Sequence, residues 1–142
     1  MMDHMQSITI NAMVNAPVEK VWAFWTQPQH IIKWTFASDD WHVPYAENDL
    51  KVNGKFKTTM AAKDGSMQFD FEGIYSIVNE NKLIAYELAD GRQVKITFEE
   101  NDGQTQLTET FDPEDQHPIE MQKVGWQSIL NNFKKYTEEN LI

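Results

Sequence analysis

The stretch GWQSILNNFKKY, Gly125 to Tyr136, decides how this sequence folds. Trp126, Ile129, Leu130 and Phe133 recur at helical spacing with Tyr136 one turn on, so one face of a long helix is bulky and apolar. Such a face needs a surface to cover it. If the preceding chain is a sheet that fits it closely, the stripe is ordinary core. If that sheet bends away, the same side chains roof a cavity.

Working back toward the N-terminus, the chain is punctuated by Asn53-Gly54, Asp64-Gly65, Asp90-Gly91 and Asp102-Gly103, each between runs of alternating apolar residues. That pattern is an antiparallel meander. Phe56, Thr58 and Met60 share one face of a strand, and Met67, Phe69 and Phe71 share a face of the next, with a bulge expected at Gly73 before Ile74 to Val78. Ile84, Tyr86 and Leu88 continue the pattern, as do Val94, Ile96 and Phe98, and the last strand puts Leu107, Glu109 and Phe111 on one face. Pro113 and Pro118 end the sheet, and Asp112, Glu114, Asp115 and Glu120 lie near the start of the final helix.

Before the meander, SITINAMVN alternates as a half-buried strand. A helix follows, capped by Asn15 or Ala16, with Pro17 in its first turn and Val18, Val21, Trp22 and Trp25 as its apolar face. Pro28 interrupts it, and QHIIKW forms a short second helix. The order is strand, two short helices, about six strands and a long C-terminal helix, an α+β chain with the helix on one face of the sheet. A twisted sheet meets a straight helix closely along only part of its length, so space is expected between them.

With 142 residues and no linker or repeat, a single domain over residues 1–142 is expected, with 1–5 a loose N-terminus. Cysteine is absent, which removes disulfides and thiolate metal sites. Twelve basic against twenty-two acidic residues give a net charge of -10, unfavourable for nucleic acid or anionic lipid. The start lacks the basic end and apolar run of a secretory signal, and no stretch has the length of a membrane span, so a soluble, cytoplasmic protein is expected. Exposed sheet edges leave monomer and homodimer both open.

Among chemistry-bearing residues, Glu109 stands out because alternation places it between Leu107 and Phe111 on an inward face. It is either the polar anchor of an apolar pocket or, as alternation breaks down at strand ends, a group returned to water or satisfied by a lysine or a backbone donor. The simpler expectation is the second. His4, His30, His42 and His117 form no pair at metal-ligand spacing, and no nucleophile elbow or phosphate loop occurs. No metal, cofactor or catalytic residue is therefore expected. Trp34, Phe36 and Trp41 flank a Ser- and Asp-rich loop, as the mouth of a pocket or as a small cluster beneath the loop. Gly125, inside the helix, hints at close backbone approach or at room left open.

In the blocks VNAPVEKVWAFWT, DLKVNGKFKTTM, FDFEGIYSIV, DGRQVKITFEE, TQLTETFDPE and HPIEMQKVGWQSILNNFKKY, the chain resembles the START-related (SRPBCC) helix-grip proteins, specifically homologues of the heat-shock-protein-90 ATPase activator. The resemblance covers nearly the whole chain. It implies a curved antiparallel sheet of six to seven strands gripping the C-terminal helix around an apolar cavity. In the family a Trp-Trp-Gly-Pro stretch often follows the second helix; here Trp34, Thr35, Phe36 and Ala37 stand there. The residues and the resemblance together lead us to expect a binder of a small apolar or amphipathic molecule. Its lining would be Trp34, Phe36, Trp41, Phe56, Thr58, Met60, Phe69, Phe71, Tyr86, Glu109, Trp126, Ile129, Leu130 and Phe133. The resemblance also implies two alternatives, a partner of a heat-shock-protein-90-type ATPase and a cyclase, dehydratase or hydrolase using Glu109.

Overall fold

A computed structural model describes residues 7–141. His4 and the expected loose N-terminus, residues 1–5, lie outside the described residues. The elements are β1 (Ile8–Val14), α1 (Val18–Thr26), α2 (Pro28–Ile31), β2 (Trp41–Asn48), β3 (Lys55–Ala62), β4 (Gln68–Asn79), β5 (Leu83–Leu88), β6 (Gln93–Asn101), β7 (Gln104–Phe111) and α3 (Ile119–Glu139). All seven strands join one antiparallel sheet in the order β1-β7-β6-β5-β4-β3-β2, curled around α3. This is the helix-grip arrangement.

Local sequence explains the strands. β1 buries every second residue from Ile8 to Val14, and β6 meets β7 through a two-residue turn in which Asp102 (φ 55°) and Gly103 (φ 79°) are both left-handed. Two positive φ values define the turn whose twist matches paired strands, and Asp-Gly favours it. The irregularity in β4 falls between Tyr75 and Ile77, not at Gly73 as expected. Gly73 instead lies opposite Phe56, and a Cβ there would sit 2.8 Å from the Phe56 ring. The glycine makes room for an aromatic side chain. Met67 falls in the turn before β4 rather than on its face.

Two helix starts also differ from expectation. α1 is preceded by Pro17 in extended conformation with no side-chain cap; the Asn15 N–H instead donates to Glu138 Oε2 of α3 at 2.7 Å. α2 begins at Pro28 and stops at Ile31, because Pro is well placed in a first helical turn and too few residues follow to sustain a helix.

The edge strand β1 is covered by α3. Gln127 Nε2 donates to the Asn11 carbonyl at 3.1 Å, and Lys134 Nζ donates to the Met13 carbonyl at 2.6 Å. With the Glu138 contact to Asn15 just beyond β1, three polar side chains on α3 engage the edge of the sheet, two of them taking β1 carbonyls that would otherwise be offered to another strand. At the other end of the helix, Gln122 holds the β7–α3 connection, accepting from the Glu114 N–H (2.9 Å) and donating to the Glu114 and His117 carbonyls (3.0 and 2.8 Å).

The grip is tight at one end and slack at the other. Leu130 and Phe133 are fully buried, and Phe133 is wedged edge-on between Trp25 and Trp34. One turn earlier, Trp126 and Ile129 are only half-buried. β4 shows the same gradient from the sheet side, with Tyr75 buried, Phe71 half-buried and Phe69 46% exposed along one face. The sheet peels away from the N-terminal half of α3.

Candidate ligand-binding cavity

Where sheet and helix separate lies a half-open cavity of about 350 Å3. Its floor follows from strand register. Phe111, Val94, Tyr86 and Tyr75 lie side by side across β7, β6, β5 and β4, and the neighbouring row is Glu109, Ile96 and Ile84. Side chains in both rows point to the helix because alternation along each strand is unbroken there. Phe56 and Phe71 close one side, with Phe56 edge-on to Tyr86 at 4.7 Å and Phe71 edge-on to Tyr86 at 6.3 Å and to Trp126 at 6.0 Å. Trp126 and Ile129 form the roof, and Trp25, Ile31 and Trp34 the far wall.

Few polar groups interrupt this surface. Glu109 is 6% exposed and lines the cavity, and its carboxyl takes no hydrogen bond from the described residues but stays open to the cavity space. Burial alone pushes it up to about 8 from an ordinary 4.5, so at neutral pH it is mostly a protonated, uncharged acid. Tyr86 is held well above a normal phenol, first by burial and then by the nearby Glu109 and Tyr75, with Arg92 opposing. Tyr75 is raised by burial, while its hydroxyl donates to Asn48 Oδ1, and Asn48 in turn donates to the Thr26 carbonyl at 2.6 Å. Thr58 adds a buried hydroxyl.

The rim carries charge that is already engaged. Arg92 Nε donates to both Asp90 oxygens, at 2.8 and 3.1 Å. Glu114 accepts from His117 Nδ1 at 2.6 Å and from the Gln116 and His117 N–H groups, which hold its carboxyl below the usual range. Glu47 accepts from the Tyr45 hydroxyl at 3.0 Å. No group of three or more His, Cys, Asp or Glu able to hold a metal occurs among the described residues, and none of their helices is long and apolar enough to cross a membrane.

The family of the Activator of Hsp90 ATPase homolog 1-like protein matches residues 15–138. The chain belongs to this family. Among solved structures, an AHSA1-like protein from Aeromonas hydrophila is 42% identical over 94% of this chain and 93% of its own, with a TM-score of 0.89. A protein from Cytophaga hutchinsonii is 56% identical over 95% and 94% of the two chains, with a TM-score of 0.82. A protein from Nitrosomonas europaea shares the fold at 18% identity, covering 94% of each chain with a TM-score of 0.81. No curated protein matches.

In this AHSA1-like chain the cavity brings together Trp34, Phe56, Thr58, Met60, Phe69, Phe71, Tyr86, Glu109, Trp126 and Ile129 of the residues expected to line it. Four others lie elsewhere. Leu130 and Phe133 are interior, because the grip has closed by that turn of the helix. Phe36 turns toward a shallow surface depression beside Asn131 and Asn132, whose side chain Nδ2 ties down the Trp34 carbonyl at 2.8 Å. Trp41 packs on Phe69 from outside the cavity, with ring centroids 5.8 Å apart. The simpler expectation for Glu109 also fails. Strand alternation runs intact through Phe111, so Glu109 stays on the inward face and lines the cavity, with no lysine or backbone donor on its carboxyl among the described residues. Gly125 leaves room rather than permitting close approach, since nothing lies within 4 Å of where its Cβ would be.

Sequence reasoning missed several lining residues, including Trp25, Tyr75, Arg92 and Gln122. Tyr75 had a usable signal, being in phase with Phe71 and Gly73 on β4. Arg92 had none, because it lies in the β5–β6 turn region where alternation says nothing about direction.

Proposed function

We propose that this protein is a cytoplasmic, single-domain binder of a small apolar or amphipathic molecule, held between the sheet and the N-terminal half of α3. The observation that carries this reading is the cavity itself: about 350 Å3, walled by aromatic rings, with few polar groups converging on it. That volume is within the range of sites for small organic ligands, and the mix of apolar wall and sparse polar contacts is what such sites use for affinity and orientation. Burial of ligand surface supplies the affinity, at about 25 cal/mol per Å2 before the costs of association. Native mass spectrometry and calorimetry against a panel of lipids and aromatic metabolites test it. A one-to-one complex that changes tryptophan emission is the expected result, since Trp25, Trp34 and Trp126 line the cavity, and a panel that leaves the protein unliganded counts against the reading.

Membership of a family named for activators of the Hsp90 ATPase favours a second reading, association with a chaperone of that class. A pull-down together with the chaperone's ATPase rate decides it, and an unchanged rate with no capture disposes of it. Catalysis by the cavity acid is a third reading, with Glu109 as the candidate proton donor. Any turnover that Glu109→Gln leaves unchanged removes it.

A further inference from the structure

The polar content of the cavity is unbalanced in sign. Glu109 is 6% exposed and lines the space, where its carboxyl is open to the cavity and takes no hydrogen bond from the described residues. The carboxylates of Glu47 and Glu114 stand at the rim. Among the described residues the one cationic side chain lining the cavity is Arg92, whose Nε is held by both oxygens of Asp90. The same cavity is lined by the rings of Phe71, Tyr86 and Trp126, with Tyr86 close enough to Glu109 to feel its charge, and aromatic rings attract positive charge to their faces. A buried carboxyl without a partner is costly, and burying a charge is tolerated where an opposite charge and hydrogen bonds compensate it.

Resting on the cavity reading above, we infer that the ligand is an organic cation: an amphipathic amine whose ammonium pairs with Glu109 inside the aromatic walls while its apolar part lies along Ile84 and Ile129. An ammonium supplies the missing donors. A fatty acid would instead set a second carboxyl beside Glu109, the two having to share one proton, with only the terminal nitrogens of Arg92 at the rim to offset the charge. A neutral alcohol would use one hydrogen bond and leave the aromatic faces without a charge to attract.

Pairing with an ammonium requires the carboxylate form, so the protonated Glu109 gives up its proton to solvent as the amine binds: R-NH3+ and protein-COOH become the ion pair plus one H+. The other titratable or charged groups facing this space are Tyr86 on β5, Tyr75 on β4, Glu47 on β2, Arg92 in the β5–β6 turn and Glu114 before α3. Burial and Glu109 hold Tyr86 in its neutral form, burial keeps Tyr75 neutral, and His117 keeps Glu114 ionised. Proton release near neutral pH therefore reports Glu109.

Calorimetry on the full chain with octylamine, octanol and octanoate, each at pH 7 in two buffers of different ionisation enthalpy, tests this. Octylamine is expected to bind about tenfold or more tightly than octanol, with octanoate weakest, and to release about one proton per amine bound. Glu109→Gln is expected to weaken octylamine about tenfold, to near the octanol level, and to abolish the proton release, with circular dichroism verifying the fold. Octanol or octanoate binding as tightly as octylamine overturns the cation assignment and leaves the cavity reading standing, as does amine binding to the unaltered protein without proton release. Failure of all three probes to bind overturns both.

Discussion

The indole of Trp126 lies flat on the ring of Phe111, with centroids 3.8 Å apart and planes 8° from parallel. This stack is where α3 meets β7 at the edge of the cavity, and Glu109 is the next inward residue along the strand. It fixes the height of the roof above the acid. Stacked aromatic pairs contribute about 0.5–1.5 kcal/mol beyond the area they bury. Trp126→Ala is expected to cost about 3 kcal/mol in urea denaturation, the lower end for an aromatic truncation because the side chain is half-exposed. Trp126→Phe, which preserves a stacking ring, is expected to lose less than about 1.5 kcal/mol. Equal losses for the two variants would show that the stack does not hold the roof.

Glu109 makes stability fall as pH rises. Between the ordinary carboxyl value of 4.5 and the folded value of about 8, the native state holds a proton that the unfolded state has released. Stability therefore declines at about 1.4 kcal/mol per pH unit across that window and levels off above it. Summed over the window, the decline is about 5 kcal/mol. Glu109→Gln removes it, so the variant's advantage over the parent should be small near pH 4.5 and largest above pH 8. Urea midpoints measured from pH 5 to 9 check this, and a parent with a flat profile over that range would rule out a neutral buried acid.

Gln122 pins the loop that carries Glu114 to the first turns of α3 through three hydrogen bonds to its backbone. Gln122→Ala strands one backbone donor and two carbonyls, and is expected to cost about 1–3 kcal/mol. Amide exchange at Glu114 should accelerate relative to the centre of β7. An unaltered exchange rate there would mean the loop is held by other contacts.

What the sequence could reveal here depended on whether a property is local. Alternation from Leu107 to Phe111 is local, and it placed Glu109 on the inward face; the reason for doubting that placement, fraying at a strand end, did not apply because β1 and β6 flank β7 along that whole stretch. The division of the α3 stripe is not local. Trp126 and Phe133 read identically in the sequence, and only the divergence of β4 from the helix makes one a cavity wall and the other core. A glycine in a strand is ambiguous in the same way. Gly73 reads as a bulge, but its role is set by Phe56 on the neighbouring strand, and the misplaced bulge hid the fact that Tyr75 keeps the phase of Phe71.

Phe133 and Trp126 should therefore separate stability from binding. Phe133 has no solvent exposure and is clamped by Trp25 at 4.9 Å and Trp34 at 4.7 Å. Phe133→Ala is expected to cost about 3–5 kcal/mol. Any ligand that binds the folded variant should retain most of its affinity, since the ring is outside the cavity, whereas Trp126→Ala should weaken the same ligand more while destabilising less. The reverse ranking would place the binding site at the closed end of the grip.

Gly125 offers a gain in stability without contact changes. It lies in the interior of a 21-residue helix, and a methyl group added there meets nothing within 4 Å. Glycine costs about 1 kcal/mol against alanine at such a position because its unfolded backbone has more freedom to lose. Gly125→Ala is expected to stabilise the fold by about 0.5–1 kcal/mol, raising the midpoint of thermal unfolding by about 3 °C. Octylamine affinity should not change, because residue 125 does not line the cavity. A drop in affinity with the stability gain intact would mean that the N-terminal half of α3 must bend to admit the ligand, and that the glycine is retained for that movement.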